Sequence, residues 1–413
     1  MVAIEGGTPV RSAPFPSVSD ASGRTFGPEE AEALARVVES GTLWRVNGTE
    51  VPALEREFAE YVGSRHAVAS TSGTAALHLA VAAVDPEPGD EIIVPPITDF
   101  GTVIAVLAQG AVPVFADVDP VTGCLTAESV ADKLSERTRA VIVVHLFGGP
   151  APVADIVAVC RPRGVRVIED CAQAYLTVPA GGGFAGTYGD LGCFSLQQSK
   201  HISAGDGGLT VTDDPALARR MALFADKGWP RDTGERTHLF LGLNYRMTEL
   251  VAAVARVQLG RLRGVVDARR SVARRLVEGL SDLPGLLLPS TVDDHSFWLF
   301  PMRLDPARVP VTNSEYAKAL VAEGIPVTAG YLDRPVYLVP ALTERRTYGT
   351  SAYPLTAPPA RREFTYAAGD CPVAETLIDE TLLVLACNER YIDADVADIV
   401  TAVRAVHHHF QRS

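Results

Sequence analysis

The sequence predicts an α/β protein in which helices cover both faces of a mainly parallel sheet, followed by a smaller α+β domain. Three observations lead there. Between residues 72 and 212, short apolar, β-branched runs alternate with helix-period segments, the pattern of strands buried on both faces and joined by helices. An arginine-rich helical pattern without proline then runs from Met247 to about Leu283 and leads out of that region. The length, 413 residues, is too great for one small domain and suits a large domain with a smaller companion. The expected division is residues 1–250, including an N-terminal arm over 1–26, and residues 251–413, holding the long helix and the small domain.

Taken in order, "GPEEAEALARVVESG" (27–41) and "VPALEREFAEYVG" (51–63) carry apolar residues at helical spacing and close on glycine. The irregular "TLWRVNGTE" between them holds Trp44, Arg45 and Asn47. "SGTAALHLAVAAV" then reads as helix, "EIIVPP" as strand, "GTVIAVLAQG" as helix and "VPVFADV" as strand. "AESVADKL" and "ADIVAVCRPRG" read as helices that separate the strands "AVIVVHLF" and "VRVIEDC". "GCFSL" and "GLTVT" are the last strands of this region. "FWLFPMRL" (297–304), "SEYAKALVAEG" (314–324) and "IPVTAGY" (325–331) suggest the small domain, closed by a helix from Asp393. Residues 340–370, rich in Pro, Arg and Tyr, read as a long loop.

Composition excludes several classes. A net charge of −13 repels a nucleic-acid backbone, while leaving room for a local basic pocket that holds one phosphate. No apolar run approaches membrane-spanning length. The N-terminus lacks a basic segment followed by an apolar stretch, so a cytoplasmic location is expected. The six cysteines show no CxxC spacing and read as buried, reduced thiols.

Parallel sheets bind ligands at the loops beyond the carboxyl ends of their strands, and three such loops here are chemically loaded. Asp170 ends the apolar strand "VRVIED". In "TSGTAAL", Ser72, Gly73 and Thr74 stand at the start of a helix, where free N–H groups favour an anion. Lys200 sits in "FSLQQSKHISAGDGG", with Ser195 before it and Gly205, Gly207 and Gly208 after. Alone, Asp170 and Ser72 also read as helix caps. Together, an amine, a carboxylate and a phosphate loop in this chain order are what pyridoxal phosphate requires.

At these residues the chain resembles the DegT/DnrJ/EryC1/StrS sugar aminotransferases, within the fold-type I pyridoxal-phosphate enzymes. The resemblance runs through "VPALEREFAEYVGSRHAVASTSGTAALHLA", "GDEIIVPPITDFGTVIAVLAQGAVPVFADVDP", "VIEDCAQAY", "GCFSLQQSKHISAGDGG" and "LNYRMTEL". It implies a seven-stranded type of sheet, a Schiff base on Lys200, and Asp170 at the pyridine nitrogen. It implies that Gln173 lies beside the ring's 3′-oxygen, and that Ser72, Gly73, Thr74 and Ser195 contact the phosphate. Asn244 matches a phosphate ligand donated by the neighbouring subunit, which makes a homodimer part of the site. The implied reaction moves an amino group from glutamate or glutamine to a keto-sugar or keto-cyclitol, as in antibiotic or cell-surface sugar biosynthesis. "GTLWR" and "VHLFGG" resemble the cyclitol branches more than the nucleotide-sugar branch.

The chain departs from the family at Asp99, where relatives place an aromatic residue that stacks on the cofactor ring. Either Phe100 takes that role, or Asp99 faces the ring edge or the substrate. Asp99 thus also motivates a second reading: elimination, epimerisation or oxidation of an amino-sugar by the same cofactor. A non-enzymatic regulatory role is the remote third. His145 is a candidate for substrate or cofactor contact or for a hydrogen-bonded strand end, His201 reads as a loop residue, and Trp44, Arg45, Trp229 and Arg231 either line the substrate entrance or pack on the surface. "HHH" (407–409) cannot converge on a metal, because consecutive helix positions point about 100° apart, and is expected to be a solvated helix end. "AGGGFAG" (180–186) reads as a turn.

Overall fold

Helices α1 (Pro28–Ser40) and α2 (Glu50–Val62) form where the pattern places them, each ending at a glycine in the left-handed region, Gly41 or Gly63. Pro28 opens α1, and the Glu30 carboxylate reaches back to accept from Gly27 N at 2.8 Å. The computed structural model describes residues 1–412. Its large layer continues with β1 (His66–Ser70), α3 (Gly73–Val84), β2 (Glu91–Val94), α4 (Phe100–Ala108), β3 (Val112–Phe115), α5 (Ala127–Lys133) and β4 (Thr138–Val144). After α6 (Val153–Cys160) come β5 (Arg166–Asp170), β6 (Leu191–Ser195), β7 (Gly208–Thr212) and α7 (Pro215–Ala225).

The seven strands lie in the order β1-β7-β6-β5-β4-β2-β3. Only β7 runs against the rest, pairing antiparallel with both β6 and β1. The reason is the connection: β6 and β7 are joined without a helix, and a parallel return would need a crossover. The expected mainly parallel sheet is therefore present, with one strand more than the sequence reading named. "HAVAS" is short and alanine-rich, a weak strand signal, and becomes β1 by pairing with β7 at the sheet edge.

Helix α8 (Glu249–Leu280) is 32 residues long, about 48 Å at ~1.5 Å per residue. Ala252, Ala255, Leu259 and Leu262 bury its first half against α2 and the edge of the large sheet. Val272, Leu276 and Leu280 bury its second half in a separate core. That core covers a second sheet, ordered β10-β11-β9-β8 and antiparallel throughout. Its strands are β8 (Leu286–Leu287), β9 (Leu299–Leu304), β10 (Val327–Ala329) and β11 (Leu382–Ala386), packed by α9 (Asn313–Ala322) and the terminal helix α12 (Asp393–Arg412). The sequence reading places no strand at β11, since its run "LLVLA" is apolar throughout and shows no period. Short helices α10 (Pro340–Thr343) and α11 (Pro372–Thr376) lie between β10 and β11.

Two segments pack on the side opposite to the expected division. The arm's Val2, Val10 and Phe15 join the small-sheet core instead of the large domain. Glu323 holds the arm there, accepting from Ala3 N at 2.7 Å and Val10 N at 2.9 Å, and Arg11 pairs with Asp395 at 2.6 Å. Conversely, Leu342, Leu355, Ala360 and Phe364 of the expected loop are buried in the large core. The histidine run also differs from expectation. His407 is fully buried, within 3.3 Å of Tyr316 OH and 3.2 Å of Pro284 O, because it faces α9. All six cysteines are buried and free. Among the described residues no helix is long and apolar enough to cross a membrane.

A buried ion pair fixes α8 to the small sheet. Arg269, wholly inaccessible, places Nε 2.9 Å and Nη2 2.7 Å from Glu389 Oε2, and its Nη1 donates to the carbonyls of Phe297 and Trp298. Removing one member of such a pair leaves a buried charge uncompensated. Glu389→Ala is expected to cost about 3–5 kcal/mol, measured by denaturant unfolding, and R269M/E389L should recover most of that loss.

Candidate active site

Glycines draw three strand ends together. Ser72 caps α3, its Oγ accepting from Ala75 N at 3.0 Å. The N–H groups of Gly73 and Thr74, in the first helical turn, have no intrahelical partner. A Cβ on Gly73 would stand 2.7 Å from Ser195 Cβ and 2.8 Å from Ser195 Oγ. One on Gly101 would stand 2.6 Å from Thr74 Oγ1 and 2.9 Å from Asp99 Oδ1. Only glycine at both positions lets the starts of α3 and α4 meet the end of β6. The result is a cradle of free N–H groups and hydroxyls, suited to an anion.

Asp170 and Lys200 face each other beside this cradle. Asp170 is buried; its Oδ1 accepts from Ala172 N and its Oδ2 from Thr102 Oγ1, both at 3.1 Å. Burial pushes its carboxyl above the usual range, opposed by the Ala172 hydrogen bond and the Lys200 charge. The Lys200 amine stands 4.1 Å from the centroid of the Trp298 ring. Burial pushes its pKa down to about 8, while Asp170 and Asp99 pull the other way. The backbone is held as well. Arg24 Nη1 donates to Lys200 O at 2.7 Å, and Trp298 Nε1 donates to Ser199 O at 2.8 Å.

Gln173 is buried in the same wall; its Oε1 accepts from Phe147 N at 2.7 Å and its Nε2 donates to Tyr331 OH at 3.2 Å. Phe147 has φ +58° and sets its ring edge-on to Tyr331, with centroids 5.1 Å apart. Asp99 caps α4 through Gly101 N at 2.8 Å and remains exposed, close enough for its charge to act on Lys200 and Tyr331. Phe100 packs against the large core. Asn244 is exposed and bridges Asp226 through its backbone; among the described residues it joins none of these hydrogen bonds. Thr102, Trp298, Tyr331 and Arg24 go unmarked in the sequence, because an aromatic in an apolar run reads as core and Arg24 acts on a carbonyl far along the chain.

The remaining candidates have structural partners. His145 Nδ1 accepts from Ala151 N at 3.0 Å, and its Nε2 lies 2.9 Å from Glu169 Oε2. Glu169 also accepts from the N–H groups of Gly186, Tyr188 and Gly189, so His145 and Glu169, which lie near Cys171, form a satisfied network. His201 is buried, with Nε2 3.0 Å from Ser296 O. Arg45 pairs with Glu55 at 2.7 Å and Arg231 with Asp226; Trp44 and Trp229 lie beside Arg231.

The description of the DegT/DnrJ/EryC1/StrS aminotransferase family matches residues 25–404. The chain belongs to this family. It is an aminotransferase, and its architecture is that of the fold-type I enzymes. It is 35% identical to the L-glutamine:2-deoxy-scyllo-inosose aminotransferase of Streptomyces kanamyceticus, over 94% of this chain and 89% of that one. It is 36% identical to the UDP-N-acetyl-3-dehydro-alpha-D-glucosamine 3-aminotransferase of Acidithiobacillus ferrooxidans, over 87% of this chain and 89% of the other. Among solved structures, DesV of S. venezuelae, in complex with a ketimine intermediate, superposes with a TM-score of 0.82 at 30% identity, covering 95% of this chain and 98% of DesV.

The depressed pKa of Lys200 is open to direct test. In cofactor-free protein, its labelling by trinitrobenzenesulfonate should rise with pH through a midpoint of about 8, where an ordinary lysine titrates near 10.5. Peptide mapping of the label checks this, and a midpoint at the ordinary value would remove the argument from burial.

Proposed function

We propose that the protein binds pyridoxal phosphate and transfers an amino group from glutamine or glutamate to a keto-cyclitol or keto-sugar. The observation that carries this reading is half-buried Lys200 within electrostatic reach of buried Asp170, beside a cradle that a Cβ at residue 73 would fill. The donor set suits the cofactor: hydroxyls and free N–H groups for a phosphate, a carboxylate for a ring nitrogen, an amine for an aldehyde. The relatives that act on 2-deoxy-scyllo-inosose and on a dehydro-glucosamine nucleotide support the acceptor class.

Ser72, Gly73, Thr74 and Ser195 would hold the phosphate, with Asn244 of a second subunit completing the site in a homodimer. Gln173 would face the ring's 3′-oxygen. Bound there, the cofactor supplies an electron-withdrawing ring that acidifies the carbon next to the transferred nitrogen. Asp170 would keep a proton on the ring nitrogen, and Thr102 Oγ1 fixes the carboxylate that would do so. Lys200 Nζ would hold the cofactor's aldehyde carbon and, when free, would serve as the base and acid that carries a proton between the two carbons flanking the transferred nitrogen. A pKa of about 8 suits both halves of that transfer near neutral pH. With Phe100 packed on the core, Asp99 would face the ring edge or the substrate.

A screen of keto-cyclitols and nucleotide keto-sugars against both donors tests the reading. Amine product from at least one acceptor is expected; none from any acceptor would sink it. Gly73→Ala should lose cofactor on dialysis that the wild type retains, because its methyl group collides with Ser195; retained cofactor absorbance would contradict the cradle. The shared site makes a sharper demand. Lys200→Ala and Asn244→Ala homodimers should each be impaired, the first without turnover, the second at limiting cofactor. Co-expressed, they form mixed dimers holding one intact site, so about one quarter of wild-type activity should return. Mixed dimers without activity would place Asn244 outside the neighbouring site.

A further inference from the structure

The wall made by residues 146–149 and 295–298 has a second face. Behind it, between the loops after β3 and β4 and the edge of the small sheet, lies a cavity of about 270 Å³. Its surface is mostly apolar, with Leu146, Phe147, Leu287 and Leu377 prominent. Two nitrogen donors open onto it, beside the hydroxyls of Thr122, Ser290 and Thr291. Arg303, from β9, has no carboxylate within ion-pair distance and no hydrogen-bond acceptor among the described residues; the Asp119 charge acts on it only at range. It also borders an adjoining hollow of about 410 Å³.

His295 is the other. It is 6% exposed and stacks on Phe297 with centroids 3.9 Å apart. Its Nδ1 accepts from Phe297 N at 2.8 Å, and burial pushes its pKa down to about 3, so the ring is neutral and carries its one proton on Nε2. That Nε2–H lies beside Gly149, where a Cβ would come within 3.1 Å, and has no acceptor among the described residues. The cavity therefore offers a cation and a neutral donor with no carboxylate in its lining, set in a mostly apolar surface. Guanidinium with a second donor is the pairing that carboxylates favour. The volume is just below the range of small-ligand pockets, about 300–1,000 Å³, which excludes a nucleotide.

We propose that this cavity is a second ligand site that takes a small apolar carboxylate, its head on Arg303 and the His295 Nε2–H and its body against Leu146, Phe147 and Leu377. The site shares its wall with the amine. Phe147 donates to Gln173 on the far side, and its carbonyl accepts from Trp298 N at 2.8 Å, the residue whose ring lies under Lys200.

Titration calorimetry of the cofactor-saturated protein with octanoate, and separately with octan-1-ol, tests the assignment without any turnover. Octanoate should bind once per chain and at least about tenfold more tightly than the alcohol, the ordinary worth of a charge-assisted hydrogen bond. Arg303→Gln should bring octanoate down to the level of the alcohol and leave the alcohol unchanged. Val121→Trp, at the exposed mouth of the cavity, should abolish both and serves if the first variant does not fold. Absence of octanoate binding to the wild type, or binding that either folded variant leaves untouched, would overturn the proposal.

Discussion

Setting a half-buried amine near a buried carboxylate, beyond the ends of neighbouring strands, is the constraint on which the rest of the architecture depends. Neither charge is comfortable there. Desolvation raises the Asp170 carboxyl and lowers the Lys200 amine, each group offsetting part of the other's penalty. Such a pair persists only where the surroundings hold both partners in place. Thr102 and Ala172 N do so for the carboxylate, Arg24 and Trp298 for the lysine segment. Every one of these supports comes from a different part of the chain.

The supports in turn need close approach. Gly73 and Gly101 admit backbone and hydroxyl groups where a methyl would collide, so the cradle beside the amine exists because side chains are absent. On the other side, Arg269 ties α8 to the carbonyls of Phe297 and Trp298, and so helps to fix the indole under the amine. The small sheet thus reaches the chemistry through Tyr331 and through residues 295–298, a stretch seen from the active site on one face and from the carboxylate cavity on the other.

What could be read from the sequence follows from how local each signal is. Asp170 and Lys200 stood out because an ionisable residue at the end of an apolar run has few structural uses. Helix ends at Gly41 and Gly63 were equally legible, being set by neighbouring residues. Trp298 and Tyr331 were not: their apolar surroundings mark them as core, and only tertiary contact turns them toward the amine. The strands "HAVAS" and "LLVLA" lacked a period of their own and became strands through their partners. The arm and the 340–370 segment packed on unexpected sides because a few apolar residues, such as Phe15 and Phe364, found cores distant in the chain. His407, expected in solvent, was buried for the same reason.

The arm has a consequence for how the molecule assembles. It starts on α9, held by Glu323, and within two dozen residues reaches Arg24, whose guanidinium closes on the Lys200 carbonyl. Each of these links joins points far apart in the chain, and loop closure makes such contacts slow to form. The order of the lysine segment is thereby linked to the docking of the first residues on α9, so the setting of the amine depends on contacts between distant parts of the chain.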